Sequence, residues 1–123
     1  DSIFIFFKTL ESLRIENKLH TINTSKITND TPKTDILYSD DYVWIESVNV
    51  FAKIKLACQN EGISFDLSRQ ELYQKLESEK LLITKDNRRS YEYRKGQFRQ
   101  SVICLPRNNL NRYLTYDKED IKL

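Results

Sequence analysis

Glycine occurs only twice in this 123-residue chain, at Gly62 and Gly96, and the two stand far apart. A P-loop needs two glycines within one short turn to fold backbone N–H groups around phosphates, and a dinucleotide fingerprint needs three. ATPase and Rossmann chemistry are therefore excluded within these residues. The length fits one domain with one modest core. With 39% apolar and 31% charged residues, the composition is that of a folded chain and not a disordered one.

Other exclusions follow from what is scarce. No apolar run approaches the roughly 18 residues that span a bilayer. The opening Ile3-Phe4-Ile5-Phe6-Phe7 lacks the basic flank and small-residue cleavage site of a signal peptide. His20, Cys58 and Cys104 cannot assemble a zinc site with ordinary spacing, and the two thiols are expected buried and reduced. No cofactor is implied, and a cytoplasmic setting is expected. The chain has no Met and starts at Asp1, so it is expected to be a piece of a longer polypeptide.

Net charge is only +2 but unevenly spread. Residues 1–68 hold 7 Lys/Arg against 10 Asp/Glu, whereas residues 69–113 hold 11 against 5. A basic half within a nearly neutral chain points to an anionic partner.

Periodicity orders the elements. Ile3, Phe6, Phe7, Leu10 and Leu13 form one helical face running to about Lys18, with Asp1 or Ser2 as N-cap. Residues 19–37 are dense in Thr, Asn, Ser and Asp around Pro32 and read as a long polar loop or tether. Tyr42-Val43-Trp44-Ile45 reads as a strand. Ser47 is placed to cap a helix ending near Asn60, with Phe51, Ile54, Ala57 and Cys58 on one face and Gly62 as its left-handed stop. Ser68-Arg69-Gln70-Glu71 is a capping box ahead of Leu72 and Leu76, opening a helix to about Lys80. Leu81-Leu82-Ile83-Thr84, a turn at Asp86-Asn87, a basic hairpin and Ser101-Val102-Ile103-Cys104-Leu105 complete the order, with Pro106 as a stop.

That succession predicts an α+β winged helix-turn-helix, with a three-stranded antiparallel sheet and an extra N-terminal helix. The expected partition is a helix and tether over 1–37, the winged helix over 38–113 and a flexible tail over 114–123. In this docking mode the second helix enters the major groove. Arg69, Gln70, Gln74 and Lys75 would face the bases, with Tyr73 at the margin, since Arg forks to guanine and Gln reaches adenine. Lys85, Arg88, Arg89, Arg94, Lys95 and Arg99 would lie along phosphates as the wing, with Tyr91, Tyr93 and Phe98 interleaved. A solvated, charge-guarded sheet edge is the plainer reading of the same hairpin. Trp44 reads as a core or interface anchor rather than a base-stacking platform, because it sits mid-strand between Val43 and Ile45.

Catalysis finds no support. His20 has no nucleophile pattern around it. Asp40-Asp41 and Asp117-Lys118-Glu119-Asp120 could hold a divalent ion in principle, but such clusters arise by chance in a chain this charged.

The run Asp41-Tyr42-Val43-Trp44-Ile45, then Phe51, Asn60-Glu61-Gly62, Leu76 and Leu81-Leu82-Ile83, resembles a known family. It is similar to the C-terminal winged-helix domain of self-loading (AAA+, MCM-like) replication initiator helicases from Gram-positive mobile genetic elements. The resemblance covers roughly residues 41–105. It implies origin recognition on double-stranded DNA, no enzyme activity in this piece, and the AAA+ motor or other replication proteins as further partners. The longer polar loop and the basic extension at Arg107 and Arg112 depart from the family pattern. A protein-interaction winged helix, anchored by Tyr42, Trp44 and helix 1, and a repressor dimerised through helix 1 are the alternatives.

Overall fold

The computed structural model describes residues 1–110; the expected tail over 114–123, Arg112 and the 117–120 carboxylates lie outside the described residues. The elements are α1 (Ser2–Ile15), β1 (Thr21–Asn23), β2 (Ile36–Tyr38), β3 (Tyr42–Glu46), α2 (Asn49–Asn60), α3 (Arg69–Ser78), β4 (Ser90–Lys95) and β5 (Phe98–Pro106). The strands form one sheet in the order β1-β2-β3-β5-β4, with β1 parallel to β2 and the other pairs antiparallel. The fold is α+β. Its sheet is five-stranded and mixed among the described residues, not three-stranded and antiparallel as the sequence suggested. No helix among the described residues is long and apolar enough to cross a membrane.

The difference originates in residues 19–37. Thr21–Asn23 pairs in parallel with Ile36–Tyr38, joined by a crossover of the length that parallel neighbours require. Asp35 fixes the entry to this pair: its carboxylate accepts the His20 backbone N–H at 2.8 Å, and Lys53 Nζ approaches to 3.4 Å. The polar segment is thus part of the sheet. α1, read as an appended element, is part of the core: Ile3, Phe6, Phe7, Leu10 and Leu13 are all buried with α2, α3 and the sheet. Asp1 caps it, accepting the Ile3 N–H at 2.9 Å.

All three helices pack their apolar faces into a core with Val43, Ile45, Ile103 and Leu105 from one side of the sheet. Strand alternation sends Leu37, Trp44 and Phe98 to the opposite side, where a smaller cluster forms with Ile27 and the half-buried Ile22 and Tyr93. The 24–34 segment covers this cluster. Buried Gln100 holds it there, accepting the Thr34 N–H at 3.2 Å and donating back to the Thr34 carbonyl.

The helix boundaries follow local chemistry. α3 starts on the expected capping box: Ser68 Oγ accepts the Glu71 N–H at 3.1 Å, and Glu71 accepts the Ser68 N–H at 2.9 Å. Those bonds hold the Glu71 carboxyl below its ordinary range. α2 stops at Gly62, whose φ of +68° is the left-handed exit, with the Ile63 N–H returning to the Cys58 carbonyl at 2.9 Å. Its start differs from expectation. Glu46, not Ser47, caps α2: its carboxylate accepts the N–H groups of Val48, Asn49 and Val50 at 2.8, 2.6 and 2.9 Å. Ser47 is buried and instead bonds Ser101 Oγ at 2.6 Å. Of the strand expected at residues 81–84, Leu81 and Leu82 are core, and Ile83 alone bridges to Cys104.

Candidate nucleic-acid interface

Between Ile83 and β4 the chain leaves the sheet in a tight turn. Asp86 and Asn87 sit at φ +52° and +62°, while Lys85 and Arg88 exchange both backbone hydrogen bonds, at 3.0 and 2.9 Å. Asn and Asp tolerate this backbone better than other side chains do, as a two-residue hairpin turn with both φ positive requires. The turn stands beside α3 and closes a cleft of about 400 Å³. One row of α3, Gln70, Tyr73 and Glu77, forms one wall; Asn87, Arg88, Arg89 and Ser90 form the other. Arg89 crosses it to Glu77 at 2.8 Å.

The β3–α2 junction sets the position of α3. The Ser47 carbonyl accepts the Tyr73 hydroxyl at 2.7 Å and Arg69 Nη1 at 3.2 Å. Tyr73 is only 4% exposed, and burial pushes its phenol up to about 12. The residue expected at the margin of a reading face is therefore a positioning group within the core. Arg69 is half-buried beside it; Gln70, Gln74 and Lys75 are exposed.

The hairpin cations divide between the two sides of the sheet. Arg94 and Arg99 face each other across β4 and β5. Glu92 lies on the same side, 2.8 Å from Arg94 and 3.6 Å from Arg99. Strand alternation puts Tyr91, Tyr93 and Lys95 on the other side. There Lys95 Nζ donates to the Thr24 carbonyl at 2.7 Å, and Lys85 Nζ lies 5.1 Å from the Tyr91 ring centre. Lys85 and Lys95 thus leave the set expected to act with α3. Arg69, Gln70, Gln74, Lys75, Arg88, Arg89, Arg94 and Arg99 remain as its candidate members.

The hairpin tip is fastened. Gly96, at φ +56°, lets the chain turn where a Cβ would collide with the Asn29 side chain, and Asn29 Oδ1 accepts the Gln97 N–H at 2.9 Å. No local sequence signal announces Asn29, because its partner lies 68 residues away. Asn87 was recognisable as a turn residue but not as a wall of the cleft.

Among the described residues no group of three or more His, Cys, Asp or Glu is arranged to hold a metal ion, and Cys58 and Cys104 are buried and free. Comparison with protein-family models and with curated proteins finds no match to this chain.

Proposed function

We propose that this chain is a winged helix-turn-helix that binds double-stranded DNA, with α3 toward the major groove and the β4–β5 hairpin along the flanking backbone. The observation that carries the reading is the cleft shared by α3 and the 85–88 turn, which brings Gln70 beside Asn87, Arg88 and Arg89. Amides and guanidiniums of this kind read base edges and grip phosphates. Supporting it, β3, α2, α3, β4 and β5 follow one another with strand adjacency β3-β5-β4. In a winged helix so ordered α3 holds the place of the docking helix, and its Gln70, Gln74 and Lys75 are exposed. Origin recognition for a mobile-element replication initiator, with its AAA+ motor as a further partner, is the role proposed from the sequence resemblance.

The protein-docking and dimeric-repressor alternatives both draw on the apolar face of α1. That face is buried in the chain's own core, which takes away the repressor's dimer surface and leaves Tyr42, 40% exposed, and half-buried Trp44 to the protein-docking reading.

Anisotropy of a labelled duplex over rising salt tests the proposal. With Arg88, Arg89, Arg94 and Arg99 on phosphates, log K should fall against log salt with a slope of about −3 to −4. Arg94→Ala with Arg99→Ala should weaken all duplexes alike, while Gln70→Ala and Gln74→Ala should flatten sequence preference. A salt-independent response, or loss of preference from the arginine variants alone, would overturn it.

A further inference from the structure

The side of the sheet away from the helices holds a second concavity, of about 450 Å³, whose aromatic floor the duplex reading does not use. Trp44, Tyr91 and Tyr93 form its floor, and Lys85, Arg88 and Arg94 reach its rim. The floor is preorganised. Trp44 Nε1 donates to the Tyr91 hydroxyl at 3.0 Å, and the Trp44 and Tyr93 rings meet edge to face at 5.1 Å. Beside them on the same side of the sheet, buried Leu37 and Phe98 pack with Trp44 and Tyr93. Of the two acids that line the cleft, Asp86 lies in the tight turn, and Glu92 is engaged by Arg94 and Arg99.

We propose that this cleft binds single-stranded nucleic acid, taking an unpaired base on the tyrosine and tryptophan rings and its phosphate on Lys85 and Arg88. The volume falls within the range of small-ligand clefts, roughly 300–1,000 Å³. Aromatic rings accept any base by stacking, and flanking cations follow the backbone, which is how strands are bound without sequence preference. Lys85 lies over the Tyr91 ring on a long flexible stem. A phosphate draws it aside and uncovers the ring for a base. A duplex keeps its bases stacked and cannot offer one to this floor. An apolar peptide finds charged and hydroxyl groups where it needs greasy walls.

Trp44 is the sole tryptophan, so its emission reports directly on the cleft. Titration of the full chain with a short oligothymidylate should give saturable quenching. Lys85→Glu, an exposed change, should leave the circular-dichroism melt unaltered and weaken that binding about tenfold or more. Gln74→Ala should leave it intact. Absent quenching, quenching indifferent to Lys85→Glu, or equal quenching by duplex that competes with the strand would each overturn the proposal. The two readings share Arg88 but are told apart by the test: loss of duplex binding with quenching preserved sinks the duplex reading alone, and the reverse result sinks this one alone.

Discussion

Removing the Glu46 side chain should loosen the junction that holds α2 and α3 together. In Glu46→Ala, three backbone N–H groups lose a charged acceptor at the positive end of a helix. Val48 and Asn49 are exposed, so water replaces most of what they lose; Val50 is fully buried, and its N–H is left without its acceptor. A stranded buried donor costs about 1–3 kcal/mol, and a lost N-cap about 0.5–2 kcal/mol. Because these overlap, we expect a net loss of about 2 kcal/mol by urea denaturation with the m-value unchanged. At about 3–5 °C per kcal/mol for a chain of this size, the melting temperature should drop by about 6–10 °C. Glu46→Gln discriminates the cause. Oε1 alone serves Asn49 and Val50, so an amide oxygen in its place keeps both bonds and should cost only about 0.5–1 kcal/mol. An alanine variant as stable as the parent, or a glutamine variant as unstable as alanine, would refute this account.

Gly96→Ala should destabilise by about 1–3 kcal/mol, because the position combines a left-handed φ with a Cβ driven against Asn29. Asn29→Ala should cost about 1 kcal/mol and speed amide exchange at Gln97, since it removes a single hydrogen bond across the hairpin tip. Leu76→Ala, at a position with no exposure, should cost about 2–5 kcal/mol in equilibrium unfolding. Tyr73 and Tyr91 have phenols raised to about 12 by burial, against an ordinary value of 10.0. A raised folded pKa means that stability holds below about pH 10 and drains away as pH climbs toward 12, where unfolded phenols ionise first. Phenolate absorbance should show two phenols ionising near 12, lost in Tyr73→Phe and Tyr91→Phe; ionisation of both near 10.0 would contradict their burial.

The helices were legible because their signals are local. Asp1, the Ser68/Glu71 box and Gly62 each act within a few residues, and the spacing of Ile3, Phe6, Phe7, Leu10 and Leu13 declares a face without reference to a partner. β1 and β2 were not legible. Three-residue strands such as Thr21–Asn23 carry too few positions for an alternation to register, and Ile22 and Ile27 are isolated among Thr, Asn and Ser. Their partners, Leu37, Trp44 and Phe98, come from elsewhere in the chain. Ser47 misled because its type suits an N-cap; the competing Ser101 hydroxyl across the sheet was invisible to local reading. Charge counting located the basic half but not its division. Alternation along β4 sends Arg94 one way and Lys95 the other, so a cluster in sequence became two faces in space.

The bonds from Thr24 and Asn29 to the hairpin tip reach 71 and 68 residues along the chain. On a ribosome adding about 5–20 residues per second, the early segment waits about 3–14 s for its cover to be made. Through that interval Ile22, Ile27 and Leu37 have no Phe98 to close over them. The nascent chain therefore presents a greasy patch of side chains that chaperones would meet before the hairpin exists.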